Sequence, residues 1–156
     1  MANLVSKSFR SNLLAAYFSG GAVPTTFKIR LFKDNANIIE GTTVASLLTV
    51  ARGGVVPDNT PVADQFEQTG GGYNFKEITP AMYTVEEGVG GIRVRLQDQT
   101  WTTTADDWGT LRWAVITTSV GGTEAILLAK DYGTGKTVTG VGANVTVDDL
   151  FFQIND

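Results

Sequence analysis

The segment Gly133-Thr134-Gly135-Lys136-Thr137 ends as a phosphate-binding loop ends, with a glycine, a lysine and a threonine. The phosphate-loop pattern, G-x-x-x-x-G-K-[ST], needs an earlier glycine at a position that Lys130 occupies here. The residues after Thr137 are β-branched or glycine, so no helix begins there to direct its N-terminus at a phosphate. We therefore interpret this segment as a turn between two strands.

Three acidic pairs are the only candidates for acid–base chemistry or for a hard metal ion: Glu86-Glu87, Asp106-Asp107 and Asp148-Asp149. Adjacent residues of a strand point to opposite faces of the sheet, so a neighbouring pair does not by itself form a catalytic dyad. Each pair lies beside a predicted turn, where aspartate caps backbone amides. We interpret the pairs as solvated turn carboxylates, with a calcium site and glycosidase-like catalysis as the alternatives.

The chain contains neither histidine nor cysteine. Ser-His-Asp and Cys-His nucleophiles need an imidazole base, and ordinary catalytic zinc sites take imidazole ligands. Disulfides and thiolate metal sites need cysteine. We therefore expect that the protein is not an enzyme, and that it has no catalytic residue, no metal-binding residue and no cofactor.

Three tryptophans, Trp101, Trp108 and Trp113, lie close together in the sequence. A solvent-facing set of this kind would stack on a sugar, whereas a buried set would fill the core, which is the role that we predict. Trp113 lies in an apolar run and should be internal. Trp101 lies in a threonine-rich run, so it is the tryptophan for which a surface role is considered.

The chain reads as one helix followed by strands. Apolar residues three or four apart predict an N-terminal helix over residues 3–19, with Asn3 as N-cap and Gly20-Gly21 as stop. Alternating patterns then predict half-buried antiparallel strands, and apolar runs predict a hairpin of buried strands followed by two last strands. The strand predictions are Phe27 to Phe32, Ile92 to Gln97, Leu111 to Ile116, Ala125 to Ala129, Val145 to Val147 and Leu150 to Ile154.

Glycine clusters separate these strands, which favours a mainly β fold, an antiparallel β-sandwich or jelly-roll-like domain with one N-terminal helix. The Gly, Pro, Asp and Thr-rich segment from Ala51 to Gly72 is the predicted long loop or arm. A segment of this length in a small domain tends to be functional or mobile, and in an assembly it can lie across a neighbour.

Size and charge set further bounds. The 156 residues, 42% of them apolar, fit a single domain over residues 1–156. With 12 Lys+Arg against 16 Asp+Glu, no nucleic-acid partner is expected. Lys7 and Arg10 interrupt the apolar N-terminal stretch, so we expect neither a signal peptide nor a membrane-spanning helix, and no membrane partner.

The region 106–154 resembles a family of small virion proteins of tailed bacteriophages. Members commonly read D-W-G-T, an apolar strand, G-G-x-x-L-L, a K-x-V segment and a final apolar strand. The similar features here follow the same order: Asp106-Asp107-Trp108-Gly109-Thr110, the apolar run to Ile116, a Gly-rich hairpin followed by Ala125 to Ala129, Lys136-Thr137-Val138 and Val145 to Ile154. Four residues, and not two, separate Gly121-Gly122 from Leu127-Leu128. Upstream, Phe27 to Phe32 and Gly70-Gly71-Gly72-Tyr73 are similar to an early strand and a turn of the family, whereas Asn35 to Gln68 and Asn74-Phe75-Lys76 depart from it.

The resemblance implies an all-β virion protein, made in the host cytoplasm, with no enzymatic site to carry over. One hypothesis is a capsid decoration or cement protein that clamps major capsid subunits, for which a homo-oligomer, with a trimer favoured, would suit the task. The alternative is a tail-fibre, baseplate or receptor-binding component, in which exposed loops carrying Trp101 or Tyr83 would contact a cell-surface sugar.

Overall fold

The structure is a computed structural model, and it describes residues 3–5, 26–33, 68, 71–88, 91–104, 108–120, 123–148 and 150–154. Strands dominate these residues, together with a short 3-10 helix at Pro80–Met82. In chain order the strands are β1 (Asn3–Val5), β2 (Phe27–Lys33), β3 (Lys76–Glu77), β4 (Tyr83–Gly88), β5 (Gly91–Leu96), β6 (Gln99–Thr102), β7 (Gly109–Val120), β8 (Thr123–Val138), β9 (Asn144–Val147) and β10 (Phe151–Ile154).

The described strands form three antiparallel sheets. The large sheet has five strands in the order β1-β8-β7-β2-β3. A three-stranded sheet has the order β10-β5-β4, and a two-stranded sheet pairs β6 with β9. The strand pairs in all three sheets run antiparallel, so the predicted mainly β, antiparallel class is confirmed. The last two predicted strands, β9 and β10, belong to different sheets.

The hairpin of β7 and β8 is the centre of the large sheet. Its sequence is rich in Val, Ile, Leu and Thr, the residue types that fit a pleated, buried surface. The predicted hairpin is confirmed, but its strands are longer than predicted because β7 continues to Val120 and β8 begins at Thr123. In the sequence, the two residues between these strands are Gly121-Gly122.

The hydrophobic core lies between one face of the large sheet and the two-stranded sheet. Every second residue of β2 enters it, so Ile29 and Leu31 are both buried there. From the opposite side, β9 contributes Val145 and Val147. Leu96 joins the three-stranded sheet to this core, and its amide donates to the carbonyl of Leu150 at 2.8 Å. The arrangement is sandwich-like, because sheets face each other across one apolar layer.

The other face of the large sheet is buried as well. Arg30 and Phe32 alternate with the core residues of β2, and both are buried. Trp113 and Val115 of β7 lie opposite them in the ladder and are also buried. The prediction that the Phe27 to Phe32 strand is half-buried is therefore wrong. Charged residues that alternate with apolar ones predict a solvent face, but here Arg30 lies on a face that is also buried.

The predicted N-terminal helix is wrong at its start. Residues Asn3–Val5 form strand β1, which pairs antiparallel with Lys130, Ala129 and Leu128 of β8. Asn3 therefore does not cap a helix. The pairing gives the backbone N–H and C=O groups of β8 hydrogen-bond partners at the edge of the large sheet. A local helical period in the sequence contains no information about such a distant partner. Residues 6–19, the rest of the predicted helix, lie outside the described residues.

Candidate interaction surface

The three tryptophans are buried, as predicted for the set. Trp108 donates its indole N–H to the carbonyl of Gly71 at 3.1 Å, and its ring meets the Tyr73 ring edge-on with centroids 5.8 Å apart. Trp113 is internal on the far side of the large sheet. These contacts give the tryptophans a packing role.

The surface role considered for Trp101 is wrong. Only 5% of Trp101 is exposed, and its indole N–H donates to the carbonyl of Asn74 at 2.8 Å. The ammonium group of Lys76 lies 4.8 Å from the centre of the ring. The surrounding threonines of β6 alternate outward while Trp101 points into the core, so the polar composition of the strand concealed its buried face.

The phosphate-loop look-alike lies inside β8 and is not a turn between two strands, so that prediction is wrong. Leu111 pairs with Lys136 and Trp113 with Asp131, so the step between these successive pairs is two residues on β7 and five on β8. The extra residues form a bulge in which Gly133 has φ 72° and Gly135 has φ 77°. Two glycines in the left-handed region let the strand absorb these residues and resume its pairing.

The charged side chains at the two ends of this bulge, Asp131 and Lys136, are both hydrogen-bonded. The ammonium group of Lys136 donates to the carbonyl of Thr146 at 3.0 Å. Asp131 accepts two hydrogen bonds of 2.8 Å from Arg112 and one of 2.8 Å from the amide of Gly133. The hydrogen bonds from Arg112 lower the pKa of Asp131, against the opposing effect of burial. The bulge is therefore a braced structural element.

Three of the six acidic residues lie among the described residues, and they belong to different parts of the fold: Glu86 and Glu87 in β4, and Asp148 directly after β9. Glu86 and Glu87 are exposed, as predicted, but they lie within β4 and not in a turn. Asp148 accepts a hydrogen bond from the buried Lys130 at 3.2 Å. Burial raises the pKa of Asp148, but the hydrogen bond and charge of Lys130 outweigh this effect, so the pKa lies below its ordinary value. Asp106, Asp107 and Asp149 lie outside the described residues.

No three His, Cys, Asp or Glu residues come together as a metal-binding group in the part of the chain that the structure describes. Across the same residues, no helix is long and apolar enough to cross a membrane.

The predicted arm from Ala51 to Gly72 is anchored at its C-terminal end. Gln68 is buried, and its amide donates to the carbonyl of Leu31 at 2.9 Å. The carbonyl of Gly71 accepts the amide of Thr104 at 2.8 Å. The arm therefore rejoins the fold at Gln68, earlier than predicted. Residues 51–67 lie outside the described residues.

An exposed apolar strip runs along the three-stranded sheet. We define the strip as Tyr83, Val85, Ile92 and Val94. Val85 and Val94 are directly opposite in the β4–β5 ladder, and Val85 is 55% exposed. Ile92 is 43% and Tyr83 38% exposed. The predicted exposure of Tyr83 is confirmed, although it lies in a strand and not in a loop.

Strand β4 is the outer edge of this sheet. Within the described residues it pairs only with β5. Five consecutive residues, 83–87, are exposed, although alternate residues of a covered strand would be buried. The opposite face of the sheet is charged, with Glu86 opposite Arg93, and Arg95 opposite Thr84. The face with the strip is mainly apolar, but it also carries the exposed Glu87 opposite Ile92, and it enters the core at Leu96, opposite Tyr83.

A polar cleft of about 190 Å³ opens on the large sheet, where β2 begins and the β7–β8 hairpin ends. Its lining residues are Thr26, Lys28, Thr117, Thr118, Ser119 and Glu124. The side chain of Lys28 also lies 4.7 Å from the centre of the Phe75 ring, and Arg30 lies 4.9 Å from the same centre. Phe75 is 40% exposed and contacts Lys28, which is one of the residues that line the cleft.

The charge of Glu124 in this cleft is compensated. Its carboxylate accepts hydrogen bonds from the Arg30 guanidinium at 2.9 and 3.1 Å and from the Thr117 hydroxyl at 2.6 Å. Burial raises the pKa of Glu124, but Thr117 and Arg30 outweigh it and hold the pKa below its usual value.

Sequence reasoning did not identify the residues of this cleft. The only signal was a charged residue, Arg30, between the apolar residues Ile29 and Leu31. Such a residue is equally typical of the solvent face of a half-buried strand.

Comparison of the chain with protein-family models, with curated proteins and with solved structures gave no match.

Proposed function

We propose that this protein is a non-enzymatic structural component of a tailed-phage particle, a capsid decoration protein that packs on the major capsid protein. It would be made in the host cytoplasm and would act on the virion. The observation that carries the proposal is the apolar strip, which lies on an exposed sheet face. Surfaces of this shape suit a protein partner, whereas small ligands are held in concave pockets.

Two further features support this proposal. The region 106–154 resembles small virion proteins in the order of its motifs, and it contains the long β7–β8 hairpin that organises the fold. A two-sided large sheet with buried residues on both faces also makes a rigid body. A rigid body loses little conformational entropy when it is fixed on a shell, so small contacts can add up to stable attachment.

A decoration protein works by mass action. It binds the assembled shell better than it binds free subunits, and it stabilises the shell by an amount that depends on its concentration relative to its dissociation constant. The direct test is the copy number in purified particles, measured by band intensity against the major capsid protein. We expect a copy number comparable to that of the major capsid protein. A much lower copy number would contradict the head location.

The alternative is a tail-fibre, baseplate or receptor-binding component. The observation that favours it is the polar cleft, because hydroxyl groups beside an exposed aromatic ring are suited to a sugar. On this alternative, the purified protein should block adsorption of particles to cells, and Phe75→Ala should abolish the block. Protein that leaves adsorption unchanged would contradict the receptor-binding role.

A further inference from the structure

The open edge of β4 has a composition that invites pairing. Its sequence, YTVEEG, contains no proline and no lysine, the residues most used to protect sheet edges, and its only charges are Glu86 and Glu87. Tyr83 and Val85 add exposed apolar side chains beside an edge that has no strand partner on its outer side among the residues that the structure describes. An edge with both features is a template for another strand.

We propose that β4 pairs antiparallel with β4 of a second copy of this chain, with Val85 on the two-fold axis. The proposal deepens the proposed function, since pairing along this edge would join the apolar strips of two copies into one larger surface for the capsid partner. Pairing of two identical edges generates a closed two-fold dimer, in contrast to the trimer that sequence reasoning favoured. The two three-stranded sheets then become one continuous sheet.

The register follows from the positions of the charges. In an antiparallel pair of identical strands, the residue on the two-fold axis lies opposite itself, so Thr84, Val85 and Glu86 are the candidates. An axis at Glu86 would place two carboxylates directly opposite each other, which is destabilising. An axis at Thr84 would leave Glu87 outside the paired strand residues. An axis at Val85 pairs all of the exposed residues 83–87 without opposing like charges.

The Val85 register also brings opposite charges together. Glu86 lies opposite Thr84 of the second copy, and Thr84 pairs with Arg95 on the neighbouring strand. Two strand spacings are roughly 10 Å, a distance that glutamate and arginine side chains can span together. Glu86 would then lie between Arg93 of its own chain and Arg95 of the second copy. On the other face, the two apolar strips would meet at Val85.

The first test is sedimentation of the full chain and of Val85→Lys. The wild-type protein should sediment as a dimer, and Val85→Lys should weaken dimerisation by at least about tenfold, since it places two lysines face to face on the axis. The matched control is Val141→Lys, the same substitution at a residue that is 70% exposed outside the sheets. A monomeric wild type, or an oligomer that tolerates Val85→Lys, would overturn the proposal.

The second test uses the absence of cysteine from the chain. In Val85→Cys the single thiol would face its own copy across the axis, because opposite Cα atoms of an antiparallel pair lie about 4.5–5.5 Å apart, within disulfide range. Mild oxidation should cross-link this variant much faster than Val141→Cys. Equal rates for the two variants would overturn the proposal even if Val85→Lys fails to fold.

These tests are separate from the test of the proposed function. Sedimentation and cross-linking use free protein, whereas copy number is measured in particles. A monomer in solution would refute the β4 dimer and leave the decoration role standing. A low copy number would refute the decoration role and leave the dimer standing.

Discussion

Arg30 and Lys130 are basic side chains that lie buried in this small protein, and each is paired with an acidic residue. Arg30 is 8% exposed, and its guanidinium donates hydrogen bonds to both carboxylate oxygens of Glu124. Lys130 is 3% exposed and donates to both the carbonyl and the carboxylate of Asp148. Burying a charge is costly unless it is paired and hydrogen-bonded, so these contacts are requirements of the fold.

We expect Glu124→Gln to lower the free energy of unfolding by about 2 kcal/mol at neutral pH, because it removes a charge-assisted contact to a buried guanidinium. The folded-state pKa of Glu124 is lowered, so its stabilising contribution is complete above the ordinary glutamate pKa. That contribution is lost as the pH falls through the folded-state pKa. The difference between wild type and variant should therefore shrink in acid, as measured by urea denaturation at several pH values.

The control for this prediction is Asp98→Asn. Asp98 is exposed between β5 and β6, so removing its charge should change stability by much less. Equal effects of the two substitutions, or a Glu124→Gln effect independent of pH, would show that the ion pair does not act as described.

We also expect no binding of ATP with magnesium at micromolar concentrations. The ammonium group of Lys136 is engaged by the carbonyl of Thr146 and lies 4.6 Å from the centre of the Tyr132 ring. The strand continues through this segment, so no helix N-terminus faces the position of a phosphate. Isothermal titration calorimetry is the direct measurement, and a micromolar dissociation constant would refute this expectation.

At the scale of the element, the bulge in β8 offers a matched pair of substitutions. Gly133 and Gly135 both have positive φ, so alanine is strained at either position. At Gly133 a Cβ atom would meet nothing within 4 Å, whereas at Gly135 it would lie 2.6 Å from the Thr110 methyl and 3.0 Å from the Leu111 carbonyl oxygen. We expect Gly133→Ala to cost about 1 kcal/mol and Gly135→Ala clearly more.

Thermal denaturation followed by circular dichroism would measure both variants. The ordering of the two effects is the informative result, since both carry the same backbone strain. If Gly133→Ala proved as destabilising as Gly135→Ala, the close approach of β7 to the bulge would not be the cause.

The described residues on either side of segment 34–67 lie next to each other. Strand β2 ends at Lys33, and the amide of Gln68 donates to the carbonyl of Leu31 in that strand. Shortening a connection whose ends stay in place reduces the entropic cost of closing it. Deletion of residues 56–65 should therefore leave a folded protein, as checked by circular dichroism.

On the decoration hypothesis, that deletion should abolish attachment to particles, as measured by co-sedimentation with shells lacking the protein. A second variant, in which the same residues are replaced by glycine and serine at equal length, separates side-chain contacts from loop length. Wild-type attachment by the deletion variant would show that the arm does not contact the shell.

At the scale of the whole molecule, the decoration proposal predicts the behaviour of particles assembled without the protein. Because the protein would stabilise the shell by binding it, such particles should release DNA at a lower temperature, with heads failing before tails. A DNA-release assay during heating, combined with electron microscopy, would measure both. If particles without the protein have heads as heat-resistant as those of complete particles but fail to adsorb to cells, the receptor-binding alternative would be favoured.

Sequence patterns predicted much of the sheet structure. Alternation identified β2 and β5, and apolar runs identified the β7–β8 hairpin, because side chains of a strand alternate between faces whatever the strand packs against. The burial of Trp113 followed from its apolar neighbours. The exposure of Glu86 and Glu87 followed from their charge.

The mainly β, antiparallel class can be predicted from the sequence, because the period of apolar residues is a local property. Long-range packing makes residues 3–5 a strand on β8, buries Trp101 and leaves β4 as an edge among the described strands. Each of these depends on which distant segment lies alongside. A three-residue strand has no period to read, and a backbone edge is open or covered only once the sheet order is set.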